Sequence, residues 1–200
     1  SVVAVQDGVQ AGYSALFADS WFHERELISE SVRPDEKDFR TQITKLTAQK
    51  PDVIFVGLLP GAAGVFAKQA RELRYEGGFV GFNFIEGEET LVAAQGALDG
   101  VVYTQAADPT DWFTQNYQKV YNKAPGPGSA HLYDAVKLIA VAAEQGKRTN
   151  TELIDYLTSI NNFSGALGTY NSTPGHEFSL PLVLKTIKNG QFVRLEEAGL

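Results

Sequence analysis

Pro51-Asp52-Val53-Ile54-Phe55-Val56-Gly57 is an apolar run with a proline at its start and a glycine at its end. A strand with no alternation of apolar and polar residues suits a sheet covered on both faces, as parallel sheets are. The residues that follow, Pro60 to Arg74, place Phe66, Ala70 and Leu73 at helical spacing. Strand followed by helix is the unit from which a parallel sheet is built, because parallel neighbours need a crossover.

The same alternation extends both ways. Upstream, Ser1 to Gln6 is a short β-branched run ended by Asp7-Gly8. Gly12 to Glu24 reads as a helix with Leu16, Phe17 and Trp21, and Glu26 to Ser31 as a second strand. Asp38 to Ala48 reads as an amphipathic helix, with Phe39, Ile43 and Leu46 on one face. Downstream, Phe79 to Phe82 reads as a strand, Glu88 to Gln95 as a short helix and Gly100 to Thr104 as a fifth strand. Serial strands and helices of this length predict an α/β fold, a doubly wound parallel sheet with right-handed crossovers.

After Gln105 the pattern changes. Asp108-Pro109 reads as a helix cap followed by proline at the first helical position, with Phe113, Tyr117, Val120 and Tyr121 sharing a face. Pro125-Gly126-Pro127-Gly128 is a break. Ser129 is expected to cap a long helix that turns Leu132, Val136, Ile139 and Ala143 inward. Thr149 and Glu152 have the spacing of a capping box, heading a helix with Leu153, Leu157 and Ile160. The remainder is β-like: Gly165 to Asn171, a turn over 172–175, Leu180 to Lys188, and a return strand Gln191 to Arg194 after the hairpin signal Asn189-Gly190.

Composition narrows the function. The chain has 200 residues, 44% hydrophobic and 20% charged, with a net charge of −7. That acidity disfavours nucleic acid and anionic membrane as partners. No stretch approaches the roughly 20 apolar residues of a membrane span. The absence of cysteine excludes disulfides, thiol nucleophiles and thiolate metal sites. No signal peptide is visible. The chain has no methionine and opens at Ser1; a processed precursor, a trimmed chain and a proteolytic fragment would each begin this way.

Ligands of open parallel sheets sit beyond the carboxyl ends of the strands. The residues there that could touch one are Asp7, Ala11, Tyr13, Leu58, Leu59, Asn83, Phe84 and Gln105. Asn83, flanked by Phe82 and Phe84, either offers an amide to a small polar or aromatic ligand or bonds its own turn. The loop Gly57-Leu58-Leu59-Pro60-Gly61 lacks the lysine and hydroxyl of a phosphate loop, so an apolar contact through its leucines fits better than an anion cradle. Gly12-Tyr13-Ser14-Ala15-Leu16 misses the nucleophile-elbow pattern at its last position. His23, His131 and His176 show no metal-binding spacing. Glu86, Glu88 and Glu89 read better as acidic residues near a helix start than as a cation site. No catalytic residue, metal or cofactor emerges.

Several stretches together resemble the type I periplasmic solute-binding proteins of the branched-chain amino acid class. They are Val3-Ala-Val-Gln-Asp7, Asp38-Phe39 through Leu46, Pro51-Asp52 through Gly57, Lys68-Gln-Ala-Arg-Glu-Leu73, Asp99-Gly-Val-Val102, Tyr133-Asp-Ala-Val136, Gly165-Ala-Leu-Gly168 and Lys188-Asn-Gly-Gln-Phe-Val193. The resemblance implies a lobe of a two-lobed protein that serves an ABC importer in the periplasm or outside the cell, with a membrane permease as partner. It implies hinge closure on a small solute, or a ligand-sensing receptor domain of the same fold; a small flavodoxin-like hydrolase is the remaining alternative. Residues 1–104 would be the body of the second lobe, 105–146 the hinge and first-lobe helices, and 147–200 the return to the second lobe with its hairpin. Phe113, Tyr117, Val136 and Ile139 would then repack, pair with a second copy, or pair with a first-lobe segment. Family ligand positions fall at Ala11, Leu59 and Asn83, where aromatic, aromatic and acidic residues are usual. These departures point to a less cationic solute than a standard α-amino acid, so the expected ligand is a small polar or aromatic carboxylate, an amide or an amino-acid-like molecule.

Overall fold

The computed structural model describes residues 2–7, 29–126, 128–180 and 182–198. They divide into two compact units: 1–105 with 184–200, and 106–183.

The first unit is built on a seven-stranded sheet. Its strands are β1 (Val2–Asp7), β2 (Ser29–Val32), β3 (Val53–Gly57), β4 (Gly78–Phe82), β5 (Val102–Ala106), β9 (Leu182–Lys188) and β10 (Gln191–Arg194), in the order β10-β9-β5-β4-β3-β1-β2. β1 pairs in parallel with β2 and β3, β3 with β4, and β4 with β5. The expected doubly wound parallel sheet is therefore present. β9 and β10 form an antiparallel hairpin whose turn puts Asn189 and Gly190 at φ of 53° and 71°, the left-handed pair that a two-residue hairpin requires.

Among the described residues, four α-helices belong to this unit: α1 (Arg40–Thr47), α2 (Ala62–Glu72), α3 (Glu88–Ala94) and a short helix after β10, Leu195–Ala198. Ile54, Phe55 and Val56 are all buried although successive strand residues point to opposite faces, so both faces of β3 are covered as its composition required. The core joins Phe39, Ile43 and Leu46 to Phe66 and Ala70, to Ile54 and Val56, and to Phe79, Tyr103 and Ile187. Phe66 meets Phe39 and Phe79 edge-on at 5.7 and 6.4 Å between ring centres, a preferred aromatic geometry.

The second unit holds α4 (Asp111–Tyr121), α5 (Ser129–Glu144), α6 (Asn150–Thr158) and a small sheet of β6 (Phe163–Gly165), β7 (Gly168–Ser172) and β8 (Phe178–Ser179). Thr149 and Glu152 form the expected capping box. Four details differ from expectation. Thr110, not Asp108, caps α4, accepting from Phe113 N at 3.3 Å. Gly128, at φ 79°, precedes α5, and Ser129 is its first helical residue. Gly165 to Asn171 is a β6–β7 hairpin turning at Ala166-Leu167, not one strand. The chain re-enters the first unit at Leu184, not near residue 147, because α6 and the β6–β7 hairpin pack within the second unit.

The largest difference is the face that α5 buries. Ala130, Asp134, Leu138 and Ala142 are inside, while Leu132, Val136 and Ile139 are exposed. α5 is apolar on two faces, so periodicity could not choose between them. The polar Asp134 decides: its carboxylate accepts from Ala166 N at 2.6 Å and Leu167 N at 3.1 Å. Phe113 is buried beside Ala130, Ala166, Leu167 and Tyr170, with Tyr117 packed against them, whereas Val120 and Tyr121 are exposed.

Among the described residues, no helix is long and apolar enough to cross a membrane, and no group of three or more acidic, histidine or cysteine side chains could hold a metal ion.

Candidate functional site

The strand order changes direction at β1, which lies between β2 and β3. At such a switch point, the loops leaving neighbouring strands run to opposite sides of the sheet and open a crevice beyond their carboxyl ends. Asp7 ends β1, its backbone aligned with Val32, and Gly57 ends β3, aligned one residue earlier with Gln6. Ala11 and Tyr13 lie outside the described residues, as do Ser14, His23 and the helix expected over 12–24.

The loop after β3 serves two purposes. Leu58 is 1% exposed and belongs to the core, so its side chain is not offered to a ligand; this corrects its expected role. Leu59 is half-buried, and its carbonyl accepts from Ala63 N at 3.2 Å as α2 begins. Gly61 sits at φ 80° and donates its N–H to Thr90 Oγ1 at 3.1 Å. With that donor turned inward and no lysine present, the loop has little in common with an anion cradle.

β4 ends in an aromatic run. Phe82 lies 5.5 Å from Phe55 and 5.5 Å from Phe84, ring centre to ring centre. Asn83 does not end the strand: it opens a 3-10 turn, Asn83–Ile85. It is exposed, and its carbonyl accepts from Glu86 N at 3.0 Å. Ile85 anchors the turn in the core at 1% exposure. The exposed Asn83 and half-buried Phe84 thus project from a fixed base.

Glu86 follows this turn. Its Oε1 accepts from Lys185 Nζ at 2.6 Å, and its Oε2 accepts from the Gln105 side-chain amide. Lys185 is 8% exposed. A pair this short and this sheltered carries much of its desolvation cost as mutual attraction, and the Gln105 amide occupies the second oxygen. Sequence reasoning passed over Lys185 and grouped Glu86 with Glu88 and Glu89. The available signal was a lysine inside the otherwise apolar start of β9, Leu182-Val183-Leu184-Lys185. Glu88 and Glu89, by contrast, are exposed in the first turn of α3, where acidic residues suit the helix dipole.

The described candidate residues thus lie in the loops that follow β3 and β4. Leu59, Asn83 and Phe84 contribute apolar, amide and aromatic surface, and the charged groups beside them satisfy each other. His131 and His176 are exposed on the second unit.

Comparison with known proteins agrees with this architecture. Residues 7–191 match the family described as periplasmic binding protein. An 85-residue stretch is 26% identical to a Leu/Ile/Val-binding protein of Rhizobium johnstonii, covering 42% of this chain and 23% of that protein. An 87-residue stretch is 31% identical to an amino acid binding protein of Pseudomonas aeruginosa, again 42% of this chain and 23% of that one. A leucine-binding protein from Thermotoga maritima superposes with a TM-score of 0.86 at 22% identity, covering 96% of this chain and 59% of that one. The substrate-binding protein of a branched-chain amino acid transporter from Streptococcus pneumoniae, in complex with isoleucine, gives 0.79 at 25% identity, covering 96% and 57%. The chain thus spans well under two thirds of these relatives' length. With the family pattern running through nearly all of its own residues, the chain belongs to the periplasmic binding protein family.

Proposed function

We propose that this chain forms part of the solute-binding component of an ABC importer, closing by a hinge on a small ligand that carries an aromatic or apolar body and little positive charge. The family is one of substrate-binding proteins rather than enzymes, periplasmic or extracellular in location. The observation that carries the ligand class is the state of the acidic group beside Asn83. An α-amino acid's ammonium needs an available carboxylate, because a charge-assisted bond is about twice as strong as a neutral one. Asn83 supplies an amide, and Glu86 is already engaged by Lys185 and Gln105. Aromatic acids, small carboxylates and amides bring no ammonium to this site, and the Asn83 amide can donate to a carboxylate or amide oxygen. The isoleucine-bound relative and the Leu/Ile/Val-binding relative support the size and the apolar character of the ligand. A membrane permease would receive the loaded protein.

Thermal unfolding with a panel of benzoate-like acids, aliphatic carboxylates, amides and branched-chain amino acids tests this. A ligand at 100 times its Kd stabilises by about 2.7 kcal/mol, readily seen as a rise in Tm. The expected result is a rise with an acid or amide that exceeds the rise with leucine or isoleucine. A larger rise with leucine would overturn the ligand class. No rise with any compound, and no calorimetric heat, would overturn the binding role for these classes.

A further inference from the structure

We propose that Glu86 is a positioning residue that clamps to the first unit both chain segments passing between the two units. The observation is topological as well as chemical. Gln105 is the last residue of the first unit before the chain leaves it, and Lys185 is the second residue after it returns. These two segments are far apart in sequence, yet the two oxygens of one carboxylate take a donor from each. Glu86 is itself held by the 3-10 turn that Ile85 anchors in the core. β5 and β9 are neighbours in the sheet, and Gly100 N donates to Ile187 O at 2.8 Å at the far end of their contact. The clamp closes the opposite end, where the two segments leave the sheet.

The physical consequence concerns where the chain can bend. A carboxylate holding an ammonium and an amide in a sheltered site resists separation of either partner. The ends of β5 and β9 then move with the sheet, and rotation is confined to the connections beyond those two strands. Hinge motions are absorbed by a few residues at element ends. The proposal rests on the hinge-closure reading above, and it assigns Glu86 and Lys185 to the hinge rather than to the ligand.

Hydrogen exchange of the full chain, without ligand, tests the clamp directly. Glu86→Gln keeps size and hydrogen bonding but removes the charge; Lys185→Met removes the ammonium and keeps the stem. Each is expected to speed exchange at least tenfold for amides in 103–106 and 183–187, with little change in 53–57 and 78–82. Lys185→Arg is expected to restore much of the protection. Unchanged exchange in all segments would overturn the clamp, and so would a uniform rise across the sheet, which marks general destabilisation. A second arm uses the panel compound giving the largest Tm rise: Glu86→Gln is expected to change its Kd at least threefold, and an unchanged Kd would overturn the link to closure. If no compound binds, the functional reading fails while the exchange arm still decides whether the clamp exists.

Discussion

The Tyr170 hydroxyl donates to Asp134 Oδ2 at 2.5 Å, and both residues are buried. The same carboxylate accepts the N–H groups of Ala166 and Leu167, the two residues of the β6–β7 turn. One acidic side chain on α5 thus ties down a hairpin more than thirty residues away. A side chain at Gly165 would place its Cβ 2.5 Å from Asp134 Oδ2, so this hairpin position needs glycine. Each orphaned buried donor costs about 1–3 kcal/mol. Asp134→Ala is therefore expected to lose at least about 3 kcal/mol in urea unfolding, and Tyr170→Phe about half as much. A loss under about 1 kcal/mol for Asp134→Ala would contradict this account.

Gly64 lies on the α2 face that packs against α3, and it is buried. A Cβ there would sit 2.8 Å from Ala94 N and closer still to the Thr90 carbonyl. Both are backbone atoms, which cannot rotate out of the way. On an exposed helix, glycine to alanine stabilises by roughly 0.5–1 kcal/mol. Here the helices must separate, and overpacking of this kind costs about 1–3 kcal/mol. Gly64→Ala is expected to lower the urea midpoint; a rise would show that α2 and α3 part easily.

These two sites mark what the sequence disclosed and what it withheld. The parallel strands and the doubly wound sheet were legible because Val53 to Gly57, Phe79 to Phe82 and Val102 onward are short apolar runs between helices, and few topologies accommodate them. The capping box at Thr149 and the hairpin at Asn189-Gly190 were legible because their chemistry is local. The inward face of α5 was not, because Leu132, Val136 and Ile139 repeat as well as Ala130, Leu138 and Ala142 do. Only the long-range bonds of Asp134 settle the choice. The candidate site shows the same division. Asn83 and Phe84 follow from a strand end, whereas the Glu86–Lys185 pair spans 99 residues, and its local sign is a single lysine in the apolar start of β9. Leu58 was misread because its neighbour Leu59 shares its chemistry but not its orientation.

The two faces of α5 give a paired experiment. Leu138 is 5% exposed and Val136 is 68% exposed. Removing a buried leucine's methyl groups costs roughly 2–5 kcal/mol, whereas a surface change stays within about 0.5 kcal/mol. Leu138→Ala is expected to fall in the first range and Val136→Ala in the second, by urea unfolding of the same preparation. Equal losses would mean that the helix presents a different face in solution.

Burial of Tyr75 makes the stability of the first unit fall at alkaline pH. Tyr75 is 7% exposed, packs against Phe79 at 5.4 Å between ring centres, and donates its hydroxyl to Gly78 O at 3.0 Å. Burial pushes its pKa up to about 12, against the attraction of the nearby Arg71 guanidinium and with help from the Asp52 carboxylate. In the unfolded chain a tyrosine ionises near 10. The folded state therefore favours the protonated ring, and the stability this represents is fully present below about pH 10. Above that pH the unfolded chain sheds its proton first, and stability is lost until the folded pKa of about 12 is passed. Tyr75→Phe has no proton to lose, so its stability is expected to fall less steeply between pH 10 and 12 than that of the parent chain. Urea midpoints of both chains across that interval measure the difference. Parallel curves would show that Tyr75 ionises alike in the folded and unfolded states, which its burial and its bond to Gly78 argue against.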